Sequence, residues 1–189
     1  MSDFEVLIEK AKQFHGGVCP GIVMGTRMTI AGLRELGMDP YQKNRSLLVY
    51  VEIDRCMSDA VQAITGCSLG HRNMKYYNYG KFAATFVDLV SKKAVRITIK
   101  ETAGGRNNEG DLKEVAKSMS CMPESELLCI EEVRVDVPEN DLPGRPRHKE
   151  ICSVCGERIM DQREVIRGDK AVCKACAYGP YYTRMEAGI

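Results

Sequence analysis

The sequence predicts an α+β fold with a mixed or antiparallel sheet, followed by a small cysteine-rich module. Three observations carry that prediction. Helical and strand-like patterns are interleaved in the body with hairpin-sized connections, which is not the rhythm of a wound parallel sheet. The composition then shifts at VPENDLPGRPRHKE, residues 137 to 150, where three prolines each remove a backbone donor and disfavour helix before them, as a linker does. Beyond this stretch, four of the nine cysteines fall in two close pairs. The expected division is therefore 1–141 for the α+β body and 142–189 for linker plus module.

Each element has its local reason. Phe4 to Phe14 places apolar residues at 4, 7, 8, 11 and 14, the spacing of an amphipathic helix. Pro20 suits a first helical position, and Gly37 followed by Asp39-Pro40 ends the helix it opens. Gly21, Gly25 and Gly32 give that helix a smooth face on which another backbone could pack, an argument for a dimer. SLLVYVEI, residues 46–53, reads as a strand, and Met57 to Thr65 as a helix closed by Gly66. Lys81–Leu89 and Ala94–Lys100 are strands about a turn at Ser91-Lys92-Lys93; Glu109–Met119 is a helix and Leu127–Val137 a last strand. The tyrosines of Lys75-Tyr76-Tyr77-Asn78-Tyr79 fit a strand pair or a dimer seam better than a stacking platform for a base or pterin.

Composition narrows the function. The 27 basic and 26 acidic side chains leave a charge of +1, so no global field would recruit nucleic acid or an anionic membrane. No apolar run reaches membrane-spanning length. The charged, amphipathic start MSDFEVLIEKAKQF lacks a signal-peptide core, so a cytoplasmic protein is expected, and nine cysteines there point to metal rather than to disulfides.

Cys152, Cys155, Cys173 and Cys176 follow C-x2-C-x17-C-x2-C, the spacing of a structural zinc site of the zinc-ribbon or treble-clef kind. Two thiolates two residues apart can reach one tetrahedral ion. A hairpin with a Gly168-Asp169 turn is expected between the knuckles. So short a segment cannot bury a self-sufficient core, and metal must supply folding energy. With all four positions filled by sulfur the ion has none open for catalysis. Arg145, Arg147, Lys149, Arg158, Arg163 and Arg167 lie nearby, but no recognition helix accompanies them, and a solvated face is the better reading than a nucleic-acid grip.

The body carries a less regular constellation. In FHGGVCPG, residues 14–21, Cys19 falls at the start of a helix, where the dipole favours thiolate, and His15 lies four residues earlier across a glycine turn. Cys56 and Cys67 bracket the next short helix. His15, Cys19, Cys56 and Cys67 are thus a candidate site for zinc or another transition metal, with Asp54 or Asp59 able to hydrogen-bond a ligand and Glu52, Asp54 or Asp59 able to act as a base. His71 is the alternative ligand but reads better as a surface histidine. Cys121 and Cys129 lack partner spacing and read as small buried hydrophobes.

FHGGVCPG, Gly25-Thr26-Arg27, CMSDAVQAITGCSLG at 56–70 and Tyr79-Gly80-Lys81 together resemble the E-subunit family of formylmethanofuran dehydrogenase over roughly residues 10–135, and the four-cysteine tail resembles the zinc-finger extension many members carry. The resemblance implies an α+β fold similar to the C-terminal domain of glyceraldehyde-3-phosphate dehydrogenase, a metal on these Cys/His motifs and a homodimer. The family's usual His-Gly-His reads His15-Gly16-Gly17 here. The leading expectation is a metal-binding accessory or regulatory protein allied to molybdenum- or tungsten-dependent dehydrogenase subunits. A metal- or Cys-dependent enzyme comes second and a nucleic-acid-binding regulator third.

Overall fold

The computed structural model describes residues 2–101 and 111–185, which form two compact units, Met1–Asp136 and Val137–Ile189. In the first, α1 (Asp3–His15) is started by a capping box. Ser2 Oγ accepts from the Glu5 N–H while Glu5 reaches back to the Ser2 N–H, satisfying two orphan donors. Gly16 ends the helix at φ +92°, a left-handed value that a side chain disfavours. Three residues later Cys19 stands as N-cap and Pro20 as the first residue of α2 (Pro20–Glu35).

The sheet combines β1 (Leu47–Val51), β2 (Met74–Tyr76), β3 (Ala83–Asp88), β4 (Ala94–Ile99) and β5 (Leu128–Val133) in the order β2-β1-β3-β4-β5. Only β1 and β2 pair in parallel; the other neighbours are antiparallel, so the fold is mixed α+β. Helix α3 (Cys56–Thr65) is the crossover between the parallel strands. Helix α2 packs on α1, α3 and α4 (Leu112–Cys121) and reaches β3 and β4. Met28 and Leu33 of α2 are fully buried with Val49, Phe86 and Ile97 of the sheet, and burial on that scale is the main favourable term of such a unit. A short helix, α5 (Glu124–Leu127), leads into β5.

The glycine face of α2 is filled from within. A Cβ on Gly25 would lie 2.7 Å from the Met57 Cα, and one on Gly32 would lie 2.4 Å from the Phe86 ring. These glycines let α3 and β3 close onto α2, so they are no argument for a dimer. Strand β2 takes up the start of the tyrosine stretch that fits a strand pair, though its three residues show no alternation. Tyr77 and Tyr79 continue from it, and the ring centroids of Tyr50, Tyr77 and Tyr79 follow at 5.6 and 5.9 Å. The start expected for the fourth helix at Glu109 lies outside the described residues; its end is Cys121 rather than Met119.

The second unit contains β6 (Lys149–Ile151), β7 (Arg158–Met160), β8 (Val165–Arg167), β9 (Lys170–Val172) and α6 (Lys174–Tyr178). It holds two hairpins, β6–β7 and β8–β9, where one was expected. The last residues of the expected linker are therefore strand. Among the described residues no helix is long and apolar enough to cross a membrane.

Candidate metal centres

In the tail, the two knuckles bring Cys152, Cys155, Cys173 and Cys176 together, with all four sulfurs within 4.8 Å of one another. The chain itself arranges them. The Cys173 N–H donates to Cys152 Sγ at 3.2 Å, and the Cys176 N–H donates to Cys173 Sγ at 3.4 Å, so Cys173 caps α6 with its own sulfur. Gly156, at φ +74°, turns the first knuckle back through its N–H to the Cys152 carbonyl. Cys155 Sγ and Cys173 Sγ stand 3.9 Å apart, against about 3.8 Å for two thiolates on a tetrahedral zinc with bonds of about 2.3 Å. The N–H groups of Cys173 and Cys155 hold the Cys152 thiol down at about 6, whereas the crowding sulfur of Cys173 and burial push Cys176 up to about 12. Four thiolates cannot ionise side by side unless a cation offsets their repulsion. The unit's apolar core is small, Cys152, Ile159 and Val172, which is why such a module relies on metal. Donor set and spacing together support zinc at this cluster.

In the body, three loops and helix ends converge. His15 is the last residue of α1, Cys19 the N-cap of α2 and Cys56 the first residue of α3. Their ligand atoms lie within 4.8 Å of one another, and all three residues are half-buried. His15 Nε2 is 3.9 Å from Cys19 Sγ, where a tetrahedral zinc would ask for about 3.6 Å between imidazole nitrogen and thiolate. On the other side of the ring, His15 Nδ1 donates to Asp59 Oδ2 at 2.7 Å. That bond fixes the tautomer and leaves the Nε2 lone pair facing the sulfurs. The N-termini of α2 and α3 both point their positive ends at the cysteines, and the Cys19 side chain makes no competing cap bond. Burial, and after it the adjoining Cys19 sulfur, push the Cys56 thiol up, so here too a cation fits the donors. Ala11, Ile22, Ala60 and Ala63 form the apolar floor.

Cys67 is not brought into this group. It is separated from Cys56 by the whole of α3, a span of roughly 15 Å at about 1.5 Å per residue. It is 1% exposed in the main core, its sulfur at 3.9 Å from the Leu47 carbonyl. Bracketing a helix puts two residues at opposite ends of it. The candidate bases also divide. Glu52 is held bidentate by Arg96 at 2.7 and 2.8 Å, and Asp54 faces the Tyr76 hydroxyl, which leaves Asp59 beside the cluster. His71 is exposed and bonded to Ser68 Oγ at 2.9 Å, an ordinary surface histidine. Cys121 is exposed at the end of α4, not buried as expected, and Cys129 is half-buried.

The body and the tail each match a family model. Residues 14–133 match the family described as FmdE, molybdenum formylmethanofuran dehydrogenase operon, and residues 145–182 match the prokaryotic dksA/traR C4-type zinc finger. A curated relative from Archaeoglobus fulgidus, described as a probable S-adenosyl-L-methionine-binding protein, is 29% identical over 97% of this chain. The chain spans about half of that relative's length, 55%. A solved structure of a tungsten formylmethanofuran dehydrogenase FmdE-like protein from Syntrophus aciditrophicus has a TM-score of 0.63 at 22% identity, covering 95% of each chain, a likeness of fold.

Proposed function

The chain belongs to the family of FmdE, molybdenum formylmethanofuran dehydrogenase operon, and from that premise we propose that it is a metal-binding accessory or regulatory protein working with a molybdenum- or tungsten-dependent formylmethanofuran or formate-type dehydrogenase. The observation that carries this is the convergence of His15, Cys19 and Cys56 on one point, with Asp59 orienting the imidazole. Those three residues would hold zinc or another transition metal in the body, and Cys152, Cys155, Cys173 and Cys176 a structural zinc in the tail. We place the protein in the cytoplasm, where thiols stay reduced. A homodimer is proposed on family likeness alone, and sedimentation of the metal-loaded chain tests it.

A second reading, a metal-dependent enzyme, is favoured by one feature. Three protein donors leave a tetrahedral ion one position short, the arrangement of catalytic rather than structural zinc. A metal there would act as a Lewis acid. His15 and the two cysteines would be its ligands, with Asp59 holding the Nδ1 proton in place. The name of the Archaeoglobus relative makes S-adenosyl-L-methionine the first small molecule to try. Cobalt(II) substitution of the body centre decides between the readings. An absorption spectrum insensitive to added imidazole, thiocyanate and S-adenosyl-L-methionine supports a closed holding or sensing site. A spectrum that shifts with any of them supports an open centre that takes a substrate.

A further inference from the structure

Gly21 lies in the first turn of α2, two residues after Cys19, and it faces Cys56 rather than solvent. A Cβ built there would stand 3.0 Å from the Cys56 Cβ, 3.5 Å from its Sγ and 3.7 Å from the Cys19 Sγ. Carbon atoms in contact normally keep about 3.5–4.0 Å apart, so a methyl group would require Cys56 to give by a few tenths of an ångström. The Cys56 Cβ is fixed to the α3 backbone and cannot swing aside. The only way to make room is to move the first turn of α3 away from α2, which carries the Cys56 sulfur away from Cys19 and His15. Gly21 is not at a left-handed φ and closes no turn, so backbone conformation does not demand a glycine here. What demands it is the approach of the second sulfur.

We propose that Gly21 is a positioning residue of the body metal centre: the missing side chain sets the separation between Cys19 and Cys56. This rests on the reading of His15, Cys19 and Cys56 as a metal site. Ligands must sit within about 0.5 Å of their productive positions, so a shift of a few tenths of an ångström at Cys56 takes up much of that tolerance and weakens the set. A purely packing role predicts a different result from a metal-positioning one: the crowding of Cys56 would lower the stability of the metal-free chain by more than the better helix propensity of Ala restores.

The test titrates the full chain, its tail still holding zinc, with cobalt(II), and reads thiolate-to-cobalt absorption. Gly21→Ala should weaken binding about tenfold or more, the scale of losing a support behind a metal ligand, and lower the absorption per bound ion. Gly17→Ala is the control, since a Cβ at Gly17 meets nothing within 4 Å, and it should bind as the parent does. Thermal unfolding of the metal-free Gly21→Ala protein should give a melting temperature close to the parent's, the crowding at Cys56 being offset by the better helix propensity of Ala. Unchanged cobalt binding by Gly21→Ala overturns the proposal, as does a metal-free variant that is unfolded or melts lower, which would make Gly21 a packing residue. If the parent itself binds no cobalt in the body, the metal-site reading fails and the proposal falls with it, a result visible before any variant is made.

Discussion

Asp59 separates the imidazole of His15 from an ordinary half-buried histidine, because the carboxylate takes Nδ1 and leaves Nε2 for the sulfurs. Asp59→Asn keeps the shape but weakens the hold on the ring, and body-site affinity should fall about 10- to 100-fold in a chelator competition while tail zinc stays. Retained affinity would mean that Nδ1 needs no anionic partner. At this scale the sequence is legible where chemistry is local: the glycine turn, the helix-start cysteine and the C-x2-C pairs each announce themselves within a few residues. It misleads at Cys67, where nearness along the chain suggests nearness in space across a helix of ten residues. The choice of Asp59 over Asp54 is legible in part, since position 59 is one turn after Cys56 on the same helix.

Helix α2 organises the body through what it lacks. Gly32→Ala would drive a methyl into the Phe86 ring, an overpacking that should cost about 1–3 kcal/mol in urea unfolding. An undiminished midpoint would show that the ring has room to move. Arg27 on the same helix donates to the Met119 carbonyl at 2.8 Å and also to that of Met122, tying α2 to the last turn of α4. At the end of β3, Asp88 organises the β3–β4 turn. Burial alone would raise its carboxyl, but bonds from the Ser91 and Ser46 hydroxyls and from the Val90 and Ser91 N–H groups outweigh that and hold it at about 2. A depressed carboxyl stabilises the fold fully above its unfolded value of about 3.9. That contribution disappears as pH falls from there through about 2. The side chain is half-buried, so Asp88→Asn should cost about 1–2 kcal/mol at pH 7, and the difference from the parent should shrink below about pH 4 and be largely gone at about pH 2 in urea titrations. A constant difference across pH would contradict it. Helices and long strands are legible from periodicity and glycine stops, but the three-residue β2 is legible only as tyrosines suited to a strand pair, because its bounds and its parallel partner are set by pairing with β1 and not by its own pattern.

At the scale of the molecule, two units stabilise themselves by different means. The body buries a continuous apolar core under α2, whereas the core of the tail is Ile159, Val172 and the four cysteines. The proline-rich stretch hints at the two parts, since composition records a change of folding strategy. What composition could not record is that Lys149–Ile151 returns to pair with β7, because that depends on where the knuckle turns. A body centre built from His15, Cys19 and Cys56 without Cys67 must load independently of the tail zinc. Metal content per chain, measured by elemental analysis of anaerobically purified parent, Cys56→Ser, Cys67→Ser and Cys155→Ser proteins, reads this out. Two ions are expected in the parent and in Cys67→Ser, and one in each of the other two, with Cys56→Ser keeping the tail zinc and Cys155→Ser keeping the body ion. A parent with a single ion that survives Cys56→Ser, or a Cys67→Ser protein that loses one, would contradict a separate three-residue centre.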